Sequence, residues 1–257
     1  MRSRMIMVVS LLVMLMMACN LASNNGGNPT DQGPVGNGNN SHDPVPVSFN
    51  EGLASLDSYA MTFKFSSIGP DPTQSSTTSI QRQRSNDTNG SFTSTNMSVI
   101  SAGGGDPEAS DSTIYQIGND QCSGNDMDGW SWTSTTPAEA EMQGLISGMI
   151  GLTPLFDKPA FVAAETVNGI PTNHFTFKVS GLGASSGAAV NINQGDYWLA
   201  VDGQYIVKYT LIVETSLSAD TEVLHEEISI EMNQINQPVS IAFPQGCLDA
   251  SLVTPEP

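Results

Sequence analysis

Side chains able to do covalent or metal chemistry are few in this chain, and their spacing limits what they could form. There are three histidines. His42 lies in a stretch dominated by Asn, Gly and Pro, and reads as a solvated residue. His174 falls on the polar side of the alternating segment "NHFTFKV". His225 opens "HEEISIE", where alternation puts His225, Glu227 and Glu231 on one wet face of a strand. No His-Glu-x-x-His occurs, and two histidines in the folded part supply little for a zinc site or a His-based triad. No Gly-x-Ser-x-Gly elbow is present. "GLGASSGAAV", residues 181–190, lacks the Gly-Lys-Ser/Thr ending of a phosphate loop and reads as a loose loop. The densest carboxylate group is Asp120, Asp126 and Asp128 in "GNDQCSGNDMDGW", 118–130. Asp126-x-Asp128-Gly129 matches half of a calcium loop. Residue 124 is Gly where the first carboxylate should stand, and no Glu closes the loop. The expectation is a solvated loop beside Cys122 with no metal. No nucleophile–base set can be assembled, so the chain is expected to be neither an enzyme nor a holder of a cofactor.

Charge narrows the partners. The 257-residue chain has 26 acidic and 8 basic residues, a formal net charge of −18. Arg2 and Arg4 lie at the extreme N-terminus, and without them six basic residues face the same 26 acids, a net of −20. Such a surface repels phosphate backbones, which excludes nucleic-acid binding, and it has no basic patch for anionic lipid. A well-solvated monomer is the expectation.

The opening segment is a targeting signal. Met1–Arg4 is basic, Met5–Met17 is apolar apart from Ser10, and Ala18 precedes Cys19. That run is short of the ~20 residues a spanning helix needs. Met16-Met17-Ala18-Cys19, with Leu15 just upstream, resembles the lipobox of bacterial lipoproteins, with Met16 where Leu is usual. The resemblance implies removal of residues 1–18 and a diacylglyceryl group on the Cys19 sulfur. Each buried CH₂ of those chains contributes roughly 0.8 kcal/mol to membrane attachment. A plain secretory signal with a coincidental Cys is the alternative. Residues 19–47 then form a flexible Asn/Gly/Pro tether, and 48–257 a single folded domain. Cys122 and Cys247 remain, an even pair in an oxidising compartment, which points to a disulfide worth roughly 4–5 kcal/mol by loop closure. Two free thiols are the other reading.

These residues must be positioned mainly by strands. Tyr59, Met61, Phe63 and Phe65 alternate with Ala60, Thr62, Lys64 and Ser66. The same period of two runs through Phe175–Val179, Tyr205–Val213 and Leu224–Met232. Weaker strands are expected near 78–85, 91–100, 112–118 and 160–167, with turns at Asn89-Gly90 and Asp202-Gly203. One wet face per strand favours an antiparallel sheet. Pro137, Glu139 and Glu141 mark the start of a helix over 137–150. Its apolar stripe is Met142, Leu145, Ile146, Met149 and Ile150. A shorter helix is expected around 49–57. The fold class is α+β, mostly β, with one or two helices against the apolar face of the sheet.

In this order stand "SYAMTFKF", "VNGIPTNHFTFKV" and "GDYWLAVDGQYIVKYTLIVE". Gly169, His174, Phe175, Trp198, Asp202 and Gly203 fit an order in which a Gly turn leads into a His-aromatic strand and then a W-x-x-D-G hairpin. Over residues 48–244 the chain resembles the bacterial lipoproteins of the LppX/LprAFG group and the wider fold of the carriers LolA and LolB. The resemblance implies a curved antiparallel half-barrel with helices across its concave apolar face, and a cavity for lipid acyl chains between them. Candidate lining residues are Met61, Phe63, Phe65, Met142, Leu145, Ile146, Met149, Tyr209 and Leu211. Read from the residues alone, the same set is what an ordinary filled core would contain, and a Met-rich stripe at helical spacing is more often core than ligand site. The expected role is a lipoprotein of the bacterial cell envelope, lipid-anchored on its extracytoplasmic side. There it binds or transfers lipid or another hydrophobic small molecule; a non-catalytic structural or interaction module is the alternative.

Overall fold

The computed structural model describes residues 52–53, 55–71, 74–87, 90–103, 108–133, 156–179, 189–203, 205–216 and 223–253. Among the described residues eleven strands follow one another: β1 (Ser58–Ile68), β2 (Gln74–Asp87), β3 (Gly90–Gly103), β4 (Glu108–Ile117), β5 (Asp120–Asn125), β6 (Gly129–Thr133), β7 (Phe156–Val167), β8 (Ile170–Val179), β9 (Ala189–Ala200), β10 (Ile206–Ser216) and β11 (Val223–Asn233). A helix, α1 (Gln245–Val253), ends the described chain. All strands join one sheet in the order β6-β5-β4-β3-β2-β1-β11-β10-β9-β8-β7, and every pairing is antiparallel.

Two meanders meet in the middle of that sheet. β1 to β6 step outward on one side and β11 back to β7 on the other, so the first and last strands pair at the centre. The joint is long-range, with Met61 opposite Met232 and Phe63 opposite Ile230. Its register is fixed by pattern, because a one-residue slip would move every apolar side chain of β1 to the wet face.

The hairpin between β7 and β8 turns on Asn168 (φ 51°) and Gly169 (φ 82°), the two positive φ values that a tight hairpin turn with matching twist demands. Asn168 Nδ2 donates to the carbonyl of Met232 at 2.9 Å and to Glu231 Oε1 at 3.0 Å. In a flat sheet β8 would lie about 14 Å from β11, three strand spacings away. These bonds therefore require the C-terminal arm to curl.

Of the expected helices, 137–150 lies outside the described residues. The segment near 49–57 contains a helical turn, with Ser55 N–H donating to Gly52 O and Leu56 N–H to Leu53 O. Leu53 and Leu56 are buried in the core. The helix α1 was not expected. By pairing register, Cys122, Trp130 and Trp132, which α1 packs against, stand on the opposite face from Ile80 and Phe63. So α1 covers the outer face of the β5–β6 edge.

The 118–130 loop is also corrected. Most of it is strand, β5 and β6 joined by a turn at 126–128. Cys122 is joined to Cys247 of α1. Trp132 packs on Phe243 at 4.7 Å between ring centroids, and the Trp130 indole lies across Gly246. Few apolar residues lie in 118–130, so its pairing becomes favourable only when the disulfide and the indoles tie it to α1.

Candidate functional site

Cross-strand partners share a face, so register assembles the apolar side chains into rows. The central row runs Ile80, Phe63, Ile230, Tyr209, Tyr197, Phe175, each the direct partner of the next on adjacent strands. All six are 5% exposed or less. The row ends at Met97 on β3 and Phe161 on β7, both 37% exposed. A parallel row is Phe65, Ile228, Leu211, Gly195 and Phe177.

The aromatic rings make contact along these rows. Phe175 stacks on Tyr197 with centroids 5.0 Å apart, Phe177 lies 5.6 Å from Tyr209, and Phe161 meets Phe175 edge-on at 5.8 Å. Glycine is needed at position 195 for space: a Cβ there would run into the ring of Phe177. Burial pushes the Tyr197 hydroxyl up to about 12 and raises that of Tyr209 further.

The structure brings five of the nine cavity candidates together on this face: Met61, Phe63, Phe65, Tyr209 and Leu211, all buried. Met142, Leu145, Ile146 and Met149 lie outside the described residues, as does Cys19. Sequence reasoning did not single out Ile80, Tyr197 or Phe177 as lining. Their alternation was legible, but which strands sit side by side was not.

Polar groups enter the same face at two places. In β2, Arg82 and Arg84 are in phase with Ile80. Register puts Arg82 between Met61 and Thr95, and all three are buried. In β11, Glu226 stands between Ser67 and Val213, and burial raises its carboxyl pKa.

The outer face holds the histidines. His174 pairs with Trp198, and the rings stack at 4.3 Å and 14°. Lys208 Nζ lies over the Trp198 ring, 4.7 Å from its centroid. His174 Nδ1 meets Glu165 Oε1 at 2.9 Å and Nε2 meets Asp196 Oδ1 at 3.0 Å. Both ring nitrogens face carboxylates, so neither is placed on a nucleophile. His225 Nδ1 meets Glu214 Oε1 at 3.1 Å. The His174 and Trp198 noted in the sequence thus form one stacked cross-strand pair.

The aspartates of 118–130 are not gathered. Asp120 opens β5 and Asp126 follows its end, six residues on or roughly 20 Å along an extended strand. Asp126 Oδ1 accepts from Trp130 Nε1 at 3.1 Å, and Asp128 Oδ2 accepts from Asn125 Nδ2 at 2.9 Å. They hold the turn. Among the described residues no group of three or more His, Cys, Asp or Glu could hold a metal, and no helix is long and apolar enough to cross a membrane.

No family model matches the chain, and no curated protein matches it. Solved structures do resemble it. Lipoprotein LppX of Mycobacterium tuberculosis is 14% identical over 76% of this chain and 94% of its own, with a TM-score of 0.40. LprF of Mycobacterium bovis is 11% identical over 76% and 93%, with a TM-score of 0.37. A domain described as an outer membrane lipoprotein-sorting protein, from Vibrio parahaemolyticus, is 9% identical over 70% and 87%, with a TM-score of 0.21.

Proposed function

We propose that the chain is an extracytoplasmic lipoprotein of the bacterial envelope. In this reading it is anchored through acyl chains on Cys19 after loss of residues 1–18 and held off the membrane by the tether 19–47. Its single domain, 48–257, binds or transfers a lipid or similar hydrophobic molecule as a monomer. The cavity is the space between the apolar face of the sheet and the segment 137–150, lined by Met61, Phe63, Phe65, Tyr209 and Leu211 below and Met142, Leu145, Ile146 and Met149 above. The observation that carries this reading is the unbroken row from Ile80 to Phe175 across six strands, extended by Phe161. A surface of that breadth and apolarity suits acyl chains.

A second reading has one observation in its favour. The central row is already buried, which a filled core in a non-catalytic interaction module would also produce. Native mass spectrometry and lipid extraction of the purified full chain separate the two. The carrier reading expects co-purified lipid at near one equivalent, reduced by Tyr209→Trp or Leu211→Trp, which fill the space. A ligand-free protein that takes up no added fatty acid would leave the filled-core reading.

A further inference from the structure

We infer that Arg82 and Arg84 form an anion subsite on the apolar face, so that the amphiphile bound there carries an acidic headgroup. This rests on the lipid-binding reading above and names the class of lipid.

Beyond residue 18 the chain has six basic residues, and its only two arginines are these. Both lie in β2 and both point with Ile80 to the apolar side, while Lys64 and Lys208 stand on the outer face. Arg82 is 3% exposed, with Met61 and Thr95 as its cross-strand partners. Arg84, half-buried, is opposite the buried Tyr59. Taking a guanidinium out of water costs several kcal/mol unless charge-assisted bonds replace its hydration. A phosphate or carboxylate supplies these in bidentate form. Arg82 and Arg84 both interact with other groups of the protein. Each also carries five N–H donors, enough for headgroup oxygens in addition.

The face itself is divided in the sense an amphiphile needs. Across β8–β11 and β1 it presents Phe175, Tyr197, Tyr209, Ile230 and Phe63, whereas across β2–β4 it mixes Arg82, Thr95 and Ser112 with Ile80, Met97, Val99 and Ile114. Glu226 marks the other end. It is opposite Ser67, six residues along β1 from Met61, or roughly 20 Å from the arginine row. An anionic headgroup is drawn to the arginines and away from Glu226, which fixes the direction in which the chains lie.

The test uses the full chain in a neutral maltoside detergent, titrated with fluorophore-tagged phosphatidate, diacylglycerol and phosphatidylcholine of identical chains. Phosphatidate should bind about tenfold or more tighter than diacylglycerol, the effect of one charge-assisted hydrogen bond. Arg82→Gln with Arg84→Gln should bring that ratio near one while diacylglycerol affinity stays within about twofold. Equal binding of all three lipids by the wild type overturns the subsite and leaves lipid binding intact; no binding of any lipid overturns the carrier reading itself. A lower Tm with an unchanged headgroup ratio would mean that the arginines serve only internal ion pairs, and also overturns the proposal. If the double variant fails to fold, Arg84→Gln alone, at the half-buried position, must still lower the ratio. Inorganic phosphate should not displace tagged phosphatidate at low millimolar concentration; displacement there would assign the site to free phosphate.

Discussion

Cutting the Cys122–Cys247 bridge should destabilise the whole domain, although both cysteines sit at one edge of the sheet. The bridge spans 125 residues of sequence. In the chain-entropy account, closing a loop of that length removes about 16 cal/mol/K from the unfolded ensemble, or about 5 kcal/mol at 25 °C. The fold from Ser58 to Val253 has about 200 residues, each contributing roughly 2.1 cal/mol/K to the unfolding entropy. The paired variant Cys122→Ala/Cys247→Ala should therefore lower Tm by about 12 °C. Alanine is the proper replacement, because both positions are fully buried and serine would add an unsatisfied hydroxyl. Calorimetry on oxidised wild type and the paired variant measures the shift, and hydrogen exchange locates it. If the reasoning holds, the most protected amides of β1, β10 and β11 lose as much protection as those of α1, because the loss lies in the shared unfolded state. A Tm drop of under about 3 °C, with fast exchange confined to α1 and β5–β6, would refute it. The bridge would then act as a local clasp for the helix.

Two further substitutions test the apolar face. Gly195→Ala places a methyl group against the Phe177 ring and should cost about 1–3 kcal/mol in urea unfolding, most of it recovered by adding Phe177→Leu; no loss in the single variant would show that the ring moves aside freely. Glu226→Gln tests the half-buried carboxyl. Its pKa in the folded state is raised by burial, so its contribution to stability is fully present below the unfolded value and is lost as pH rises through the folded one. The Gln variant should match the wild type near pH 4 and be more stable at pH 7 and above, as read from paired urea titrations; a constant difference at every pH would refute it.

Much of the fold was legible because burial imposes a period of two. The strands at 58–68, 170–179, 206–216 and 223–233 each carry three or four apolar residues in alternation. The Asp202-Gly203 turn is present, with Gly203 at φ 87°. The strands β5 and β6 were not legible, since "DQCSGN" and "GWSWT" have no run of apolar residues and owe their pairing to the contact with α1. α1 itself, "QGCLDASLV", has no charged cap and almost no amphipathic pattern. It lies where the disulfide and two indoles hold it, and no periodicity announces that. Arg82 and Arg84 illustrate the same limit. Charged residues alternating with Gln81 and Gln83 read as a wet strand, and only the pairing of Ile80 with Phe63 turns the arginines inward.

Local pattern therefore determined the four strongly alternating strands and their apolar sides, the acidity that argues against nucleic acid, and the expected lipid attachment at Cys19. Those properties depend on residues close in sequence. The tertiary structure alone decided that β1 pairs with β11, that six apolar side chains from six strands line up in one row, and that α1 lies on the outer face. Strand neighbours are chosen by burying whole faces against one another across more than a hundred residues, a long-range free energy that no short window of sequence contains.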